Sequence, residues 1–184
     1  MSKKLTNYLM NNITVFNEKQ LPVVLNYVEL YDPKSDEEIL ENIKVLDTKL
    51  RSSSLSVVLA IVKILLKYGK MKPDLMVRIQ DRIRPSLLAF INHEFPEVEY
   101  LALKTIYYII HYYKTEIYVG EVKKFFLHFN ETTYLKMIKI QLMETNCRKS
   151  NFGDVINELT EYLMDSEIVK EVMEALDKII MKSE

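Results

Sequence analysis

The chain has 184 residues, 48% of them hydrophobic and 28% charged, which is one domain's length with enough apolar material for a real core. Only 3 glycines and 5 prolines are present, too few turn residues for a many-stranded sandwich or barrel. The 25 basic and 26 acidic residues leave a net charge of -1, which by itself calls for neither nucleic acid nor an anionic membrane as partner.

Apolar residues recur at helical spacing along almost the whole chain. A short helix is predicted near Lys4–Asn11, and a second over Gln20–Tyr31. Pro33 stops it, and Ser35 with Glu38 fits a capping box for a third helix that runs to about Arg51. "SSSLS" is the next junction, with Ser54 or a neighbouring serine as cap. The fourth helix covers Ser56–Tyr68 and ends at Gly69, read as a left-handed cap. Pro73 opens a fifth that continues toward His93, with a kink expected after Ile83 because Pro85 removes an amide donor. Pro96 opens a sixth. Further helices follow at Val119–Leu127, Thr132–Asn146, Phe152–Asp165 and Ser166–Met181. No segment alternates as a strand would.

Four of these stretches share a pattern. They are "VVLAIVKILL" from Val57, "EYLALKTIYY" from Glu99, "TYLKMIKIQL" from Thr133 and "EIVKEVMEAL" from Glu167. Each has an aliphatic third residue, namely Leu59, Leu101, Leu135 and Val169. Their starts lie 42, 34 and 34 residues apart, periods that suit helix-pair repeats. The predicted fold is all-α, an alpha-solenoid of HEAT/armadillo-like helical hairpins. Its units fall near 3–51, 52–93, 94–130 and 131–165, with a final helix at 166–181. The first and last units should expose apolar faces and favour self-association.

Little in the sequence suggests catalysis. Cys147 is the sole cysteine, so no disulfide forms within the chain and no cysteine zinc cluster exists. It reads as a small packing residue, with a reactive thiol as the alternative. His93, His111 and His128 fall on different units and lack metal-ligand spacing. No glycine-rich phosphate loop appears. Neither a cofactor nor a metal is expected. The longest apolar stretch, Leu55–Leu66, is broken by Ser56 and Lys63 and is too short to span a bilayer. "MSKKLTNYLMNN" has no apolar core of a signal peptide, and the single cysteine fits a cytosolic location.

Charge is uneven. Residues 100–149 carry 8 basic and 4 acidic side chains, and residues 150–184 carry 3 basic and 9 acidic. These are either differently decorated solvent faces or contact surfaces for different partners. Lys123 and Lys124 beside Phe125 and Phe126 could serve nucleic acid, or could simply rim a packed pair of rings. The alternative function is therefore a helical-repeat nucleic-acid binder using the basic region 100–149.

The chain resembles part of the trunk of a beta-adaptin, a large subunit of the heterotetrameric adaptor-protein complexes of vesicle coats. The resemblance is colinear over essentially the full length. It is carried by "YDPKSDEEILENIKVLDTKLRSSSLSVVLAIVKILLKY", "PEVEYLALKTIYYI", "EVKKFFLHFNETTYLKMIKIQLM" and "VINELTEYLMDSEIVKEVMEALDKI", and "KKFFLHFNETTYLKMIK" is the most specific piece. "DEEILENIKVLDTKLRSSS" is most similar to the beta subunit of adaptor complex four. Two departures stand out. A Glu-Trp-Gly-Gln stretch common in the family is Glu18, Lys19, Gln20 and Leu21 here, and a glycine common near the end of the region is Asp177.

The resemblance implies a non-enzymatic scaffold taken from the middle of the trunk. Its partners would be the medium subunit and the second large subunit. Its location would be cytoplasmic, peripheral on trans-Golgi or endosomal membranes through the whole complex, with no nucleic acid bound. No single site residue carries over from the family.

"YLALKTIYYIIHYYK", Tyr100–Lys114, holds the candidate surface. At about 100° per residue, Ala102, Leu103, Ile106, Ile109, Ile110 and Tyr113 form a core stripe. Leu101, Thr105 and Tyr112 flank it, facing a neighbouring repeat. Tyr100, Lys104, Tyr107, Tyr108 and His111 lie on the other side. They either pack against an adjoining helix or form a protein-contact surface.

Overall fold

A computed structural model describes residues 2–183. Among the described residues the secondary structure is nine α-helices and one 3₁₀ segment, with no strand, so the expected all-α helical-repeat class holds. Two compact units are present. The first ends at Ser86 and the second begins at Leu87.

The first unit contains α1 (Lys3–Asn11), α2 (Leu21–Glu29), α3 (Asp36–Asp47), α4 (Leu55–Met71) and most of α5 (Pro73–Leu88). Helix α1 packs on α2 and α3, and α4 packs on the same two. Leu25, Leu46, Val58, Ile61 and Leu65 are fully enclosed. Each such side chain contributes about 1.5–3 kcal/mol relative to exposure.

Local signals explain where these helices begin. Ser35 caps α3, its hydroxyl accepting from the Glu38 amide at 3.3 Å. The reciprocal half of the box is replaced. The Glu38 carboxylate instead accepts from the Lys34 amide and the buried Tyr31 hydroxyl, each at 3.0 Å. Burial raises the Glu38 pKa, but these donors and Lys3 outweigh it and leave the net shift downward. Ser54 sits at the N-cap of α4 without accepting a cap hydrogen bond from a backbone amide, its hydroxyl pairing with that of Ser56 instead.

Gly69 does not end α4, which runs on to Met71, and none of the described glycines has positive φ. Its lack of a side chain serves a close approach. A Cβ there would stand 2.7 Å from Met76 Cε, so the missing side chain makes room for the end of the Met76 side chain. Pro73 opens α5 as read from the sequence, and the helix passes through Pro85 to Leu88. So close to the helix end, the proline forfeits only the bond to the Asp81 carbonyl. The helix stops short of His93, with Asn92 at φ 63° in the following turn.

The second unit contains α6 (Pro96–Tyr113), the 3₁₀ segment Val119–Phe125, α7 (Thr133–Asn146), α8 (Phe152–Glu161) and α9 (Val169–Ser183). Helix α7 packs against α6, α9 and the 3₁₀ segment, and α8 against α9. The α-helix expected at Val119–Leu127 is thus a tighter turn. Val122 and Phe125, three residues apart, are both buried, and three residues is the spacing that a 3₁₀ turn stacks on one side. Helix α8 ends four residues earlier than predicted and α9 begins three later, leaving 162–168 as a connecting segment.

The core stripe of α6 is as expected for Ala102, Leu103, Ile106, Ile109 and Ile110, which are buried, while Tyr113 is half-buried. The shared third position does not track depth. Leu135 is buried, Leu59 and Val169 are half-buried, and Leu101 is exposed.

Candidate protein-contact surface

Helix α6 starts at a proline in its first turn, with Glu97 and Glu99 at the end where carboxylates are favoured. It ends at Lys114 in the left-handed conformation. Eighteen residues without an interior break hold the Tyr100–Lys114 face in one register.

The structure divides the five sequence-predicted residues. Tyr100 is half-buried and meets the edge of Tyr134 on α7, ring centroids 5.4 Å apart at 85°. It is a packing residue between helices. Lys104, Tyr107 and His111 make a ladder on the outside. The Lys104 ammonium lies 5.4 Å from the Tyr107 ring centre, and Tyr107 stacks on His111 at 5.2 Å. Tyr107 is half-buried, and Lys104 and His111 are exposed. Tyr108 stacks on Tyr112 at 5.4 Å, with Tyr113 edge-on to Tyr112 at 4.9 Å.

Two residues assigned to the flank belong to this surface. Leu101 and Tyr112 are about half exposed, as is Tyr108. Positions 101, 108 and 112 are spaced by seven and four, so they form one apolar stripe on the helix. The signal was in the sequence. A helical wheel places Leu101 and Tyr112 together, but it cannot show that both stay about half exposed.

Beneath the surface lies a charged core that the sequence reading did not single out. Lys139 on α7 is fully buried. Its ammonium ion-pairs with Glu131 and lies 3.0 Å from Glu99 Oε1, the latter outside hydrogen-bond geometry. Glu131 also accepts from the His128 amide at 3.1 Å, and His128 Nε2 lies 3.2 Å from Asn92 Oδ1. One turn earlier, the Lys136 ammonium meets Asp165 at 2.8 Å. The hydrogen bond from Lys136, helped by the Glu167 amide, holds the Asp165 carboxyl below its usual range. Burial pushes Glu158 up, although it accepts from the Leu127 amide at 2.7 Å. A lysine at position 139 has a sequence signature. Leu135, Ile138, Lys139 and Leu142 follow the i, i+3, i+4, i+7 pattern of a buried face.

The remaining candidates are dispersed. His93 accepts from the Phe95 amide and sits between Phe90 and Phe95. Burial raises the Cys147 thiol, which lowers its thiolate fraction. Among the described residues no three His, Cys, Asp or Glu side chains converge as a metal site. In the basic region 100–149, five of the eight cations are committed to carboxylates: Lys123, Lys124, Lys136, Lys139 and Arg148. Phe125 is buried beside exposed Lys123 and Lys124, the packed-rim arrangement rather than a stacking platform for bases. The geometry therefore offers a contact surface over a charged, enclosed core.

Known proteins agree with the resemblance. The chain matches the adaptin N-terminal region over residues 1–184. Beta-adaptin-like protein A of Arabidopsis thaliana is 27% identical over 184 residues, 99% of this chain and 22% of that protein. AP-4 complex subunit beta-1 of Mus musculus is 28% identical over 165 residues, covering 90% of this chain and 22% of the relative. AP-1 complex subunit beta-1 of the same species is 29% identical over 166 residues, covering 88% and 17%. The chain thus spans about a fifth of the length of the curated relatives it matches. With its whole described length matched, the chain belongs to the adaptin N-terminal-region family.

Proposed function

We propose that this chain is a non-enzymatic scaffold segment of the beta subunit of a vesicle-coat adaptor complex. It would support assembly of that complex for intracellular protein transport. The carrying observation is the match to the adaptin N-terminal region across residues 1–184, with relatives whose printed names are beta subunits. The partners in this reading are the medium subunit and the second large subunit. The stripe Leu101, Tyr108 and Tyr112, with Tyr107, Lys104 and His111 beside it, is the surface on α6 offered to one of them.

We assign the chain to adaptor complex four on the stretch Asp36–Ser54. Overall identity does not separate the complexes, since the two mouse relatives differ by one percentage point. The location in this reading is peripheral, on trans-Golgi or endosomal membranes through the assembled coat. In keeping with that, no helix among the described residues is long and apolar enough to cross a membrane. In this reading the 184-residue segment is one run of repeats, with units near 3–51, 52–93, 94–130 and 131–165 and a final helix at 166–181. Nucleic-acid binding is disfavoured because its basic region is largely neutralised by ion pairs.

The test is affinity purification of the full-length subunit containing this sequence. Recovery of the medium and second large subunits of adaptor complex four supports the reading. Recovery of another complex's subunits corrects the assignment, and recovery of no adaptor subunit overturns the function.

A further inference from the structure

Away from the α6 face, the second unit has an open cleft of about 690 Å³ between the strap before α7 and the segment joining α8 to α9. Two large apolar side chains stand at its mouth almost wholly in solvent, Phe129 at 87% and Met164 at 96% exposure. Between them lies Lys136, its ammonium 6.0 Å from the Phe129 ring centre and 5.8 Å from that of Tyr162.

Charge decides what the cleft accepts. Its lining has four carboxylates, Glu131, Glu161, Asp165 and Glu167, against the single ammonium of Lys136. The N-termini of α7 and α9 also open near it, each contributing about half a positive charge. Glu131 is offset by the buried Lys139 with which it pairs, so the balance stays near -1 and the site attracts cations. An anionic ligand would need Lys136, which is already committed to Asp165 at 2.8 Å. Glu161, by contrast, is exposed and has no hydrogen-bond or ion-pair partner among the described residues. Glu167 uses one oxygen to accept from the Thr133 hydroxyl at 2.6 Å and keeps the other.

We propose that this cleft docks a partner polypeptide segment in which an apolar side chain is flanked by lysine or arginine. The apolar anchor packs between Phe129 and Met164. The flanking cation reaches Glu161 and Glu167, and a guanidinium also stacks on the exposed Phe129 face. The site does not depend on the adaptor assignment, and its test uses different binding partners.

The probe is a displayed library of short peptides with a fixed leucine or phenylalanine and neighbouring positions drawn from Lys, Arg, Asp, Glu and Ser. Selection is made on the immobilised 184-residue chain at low salt. Lysine and arginine should be enriched beside the anchor. The selected peptide, labelled and followed by fluorescence anisotropy, should bind at least about tenfold more weakly to Glu161→Lys/Glu167→Lys and to Phe129→Ala/Met164→Ala. Both variants change exposed side chains and should keep the parent circular-dichroism spectrum, with a slightly lower melting temperature for the lysine variant, which loses the Thr133–Glu167 hydrogen bond. Enrichment of acidic residues, no enrichment at all, or a basic peptide whose affinity both variants leave unchanged would each overturn the proposal.

Discussion

Replacing Lys139 by methionine tests the charged core most directly. The parent ammonium is fully buried, and its partners Glu99 and Glu131 have side chains only 5% and 10% exposed. At 3.0 Å from Glu99 and an effective dielectric near 20, one such pair is worth about 5 kcal/mol of gross Coulomb attraction. Methionine fills a similar volume but leaves two carboxylates facing each other without a counter-charge. The expected loss is about 3–5 kcal/mol, or a melting temperature lower by roughly 6–20 °C for a chain of this size. Lys170→Met is the control. Its pair with Glu174 is exposed, 3.9 Å long and worth at most about 0.5 kcal/mol. Combining Lys139→Met with Glu99→Gln and Glu131→Gln removes all three charges and should recover most of the loss, because an uncharged core owes no ion desolvation. Urea unfolding followed by circular dichroism reads all three proteins. If Lys139→Met falls no further than Lys170→Met, or the triple variant is no more stable than the single, the reasoning is refuted.

Burial pushes the Tyr68 hydroxyl up to about 12, even with the Asn42 amide donating to it at 3.2 Å. An unfolded tyrosine ionises near 10, so Tyr68 should cost the parent roughly 2–3 kcal/mol as pH rises from about 10 to 12, and Tyr68→Phe should show a shallower slope in urea midpoints taken across that window. Leu101→Ser/Tyr108→Ser/Tyr112→Ser should cost about 2–4 kcal/mol in all, half the full-burial value at each half-exposed position, and reduce co-purification of an adaptor subunit with the full-length protein. Undiminished recovery removes the α6 face from the interface. The exposed Tyr8, Val23 and Tyr27 in α1 and α2, and Met173, Ile180 and Met181 in α9, should drive concentration-dependent association of the 184-residue chain in sedimentation velocity. A single monomeric boundary at all concentrations contradicts that expectation.

Helix starts were legible because they depend on local chemistry. Ser35, Pro73 and Pro96 each mark a start within a residue or two, through a side-chain cap or a pre-set φ. The core stripe of α6 was legible because periodicity alone orders its aliphatic residues. Gly69 was not. A glycine after a helical run reads as a cap, and only the position of Met76 on the next helix shows that its missing Cβ admits a neighbour. The exposure of Leu101 and Tyr112 was hidden for the same reason, since the wheel sorts side chains by direction and not by what stands opposite. Most of the contact surface therefore needed the tertiary structure, while the residues that compose it were visible as a set.

Helix α7 shows how sequence and packing combine. It packs against α6, α9 and the 3₁₀ segment, so its buried residues spread over one broad face. Such a helix could slide or rotate among its neighbours at modest cost if only apolar contacts held it. Its two buried lysines prevent that. Lys139 finds its counter-charges on α6 and on the strap before α7, and Lys136 finds its own ahead of α9. A slip of one turn, about 5.4 Å, would leave an ammonium against apolar surface and carboxylates without a partner. Apolar burial thus supplies most of the stability of the second unit, and the ion pairs penalise any shift of α7 from its register. A contact surface spread along α6 depends on that choice, because Glu99 couples the register of α7 to the helix that carries Leu101, Tyr108 and Tyr112.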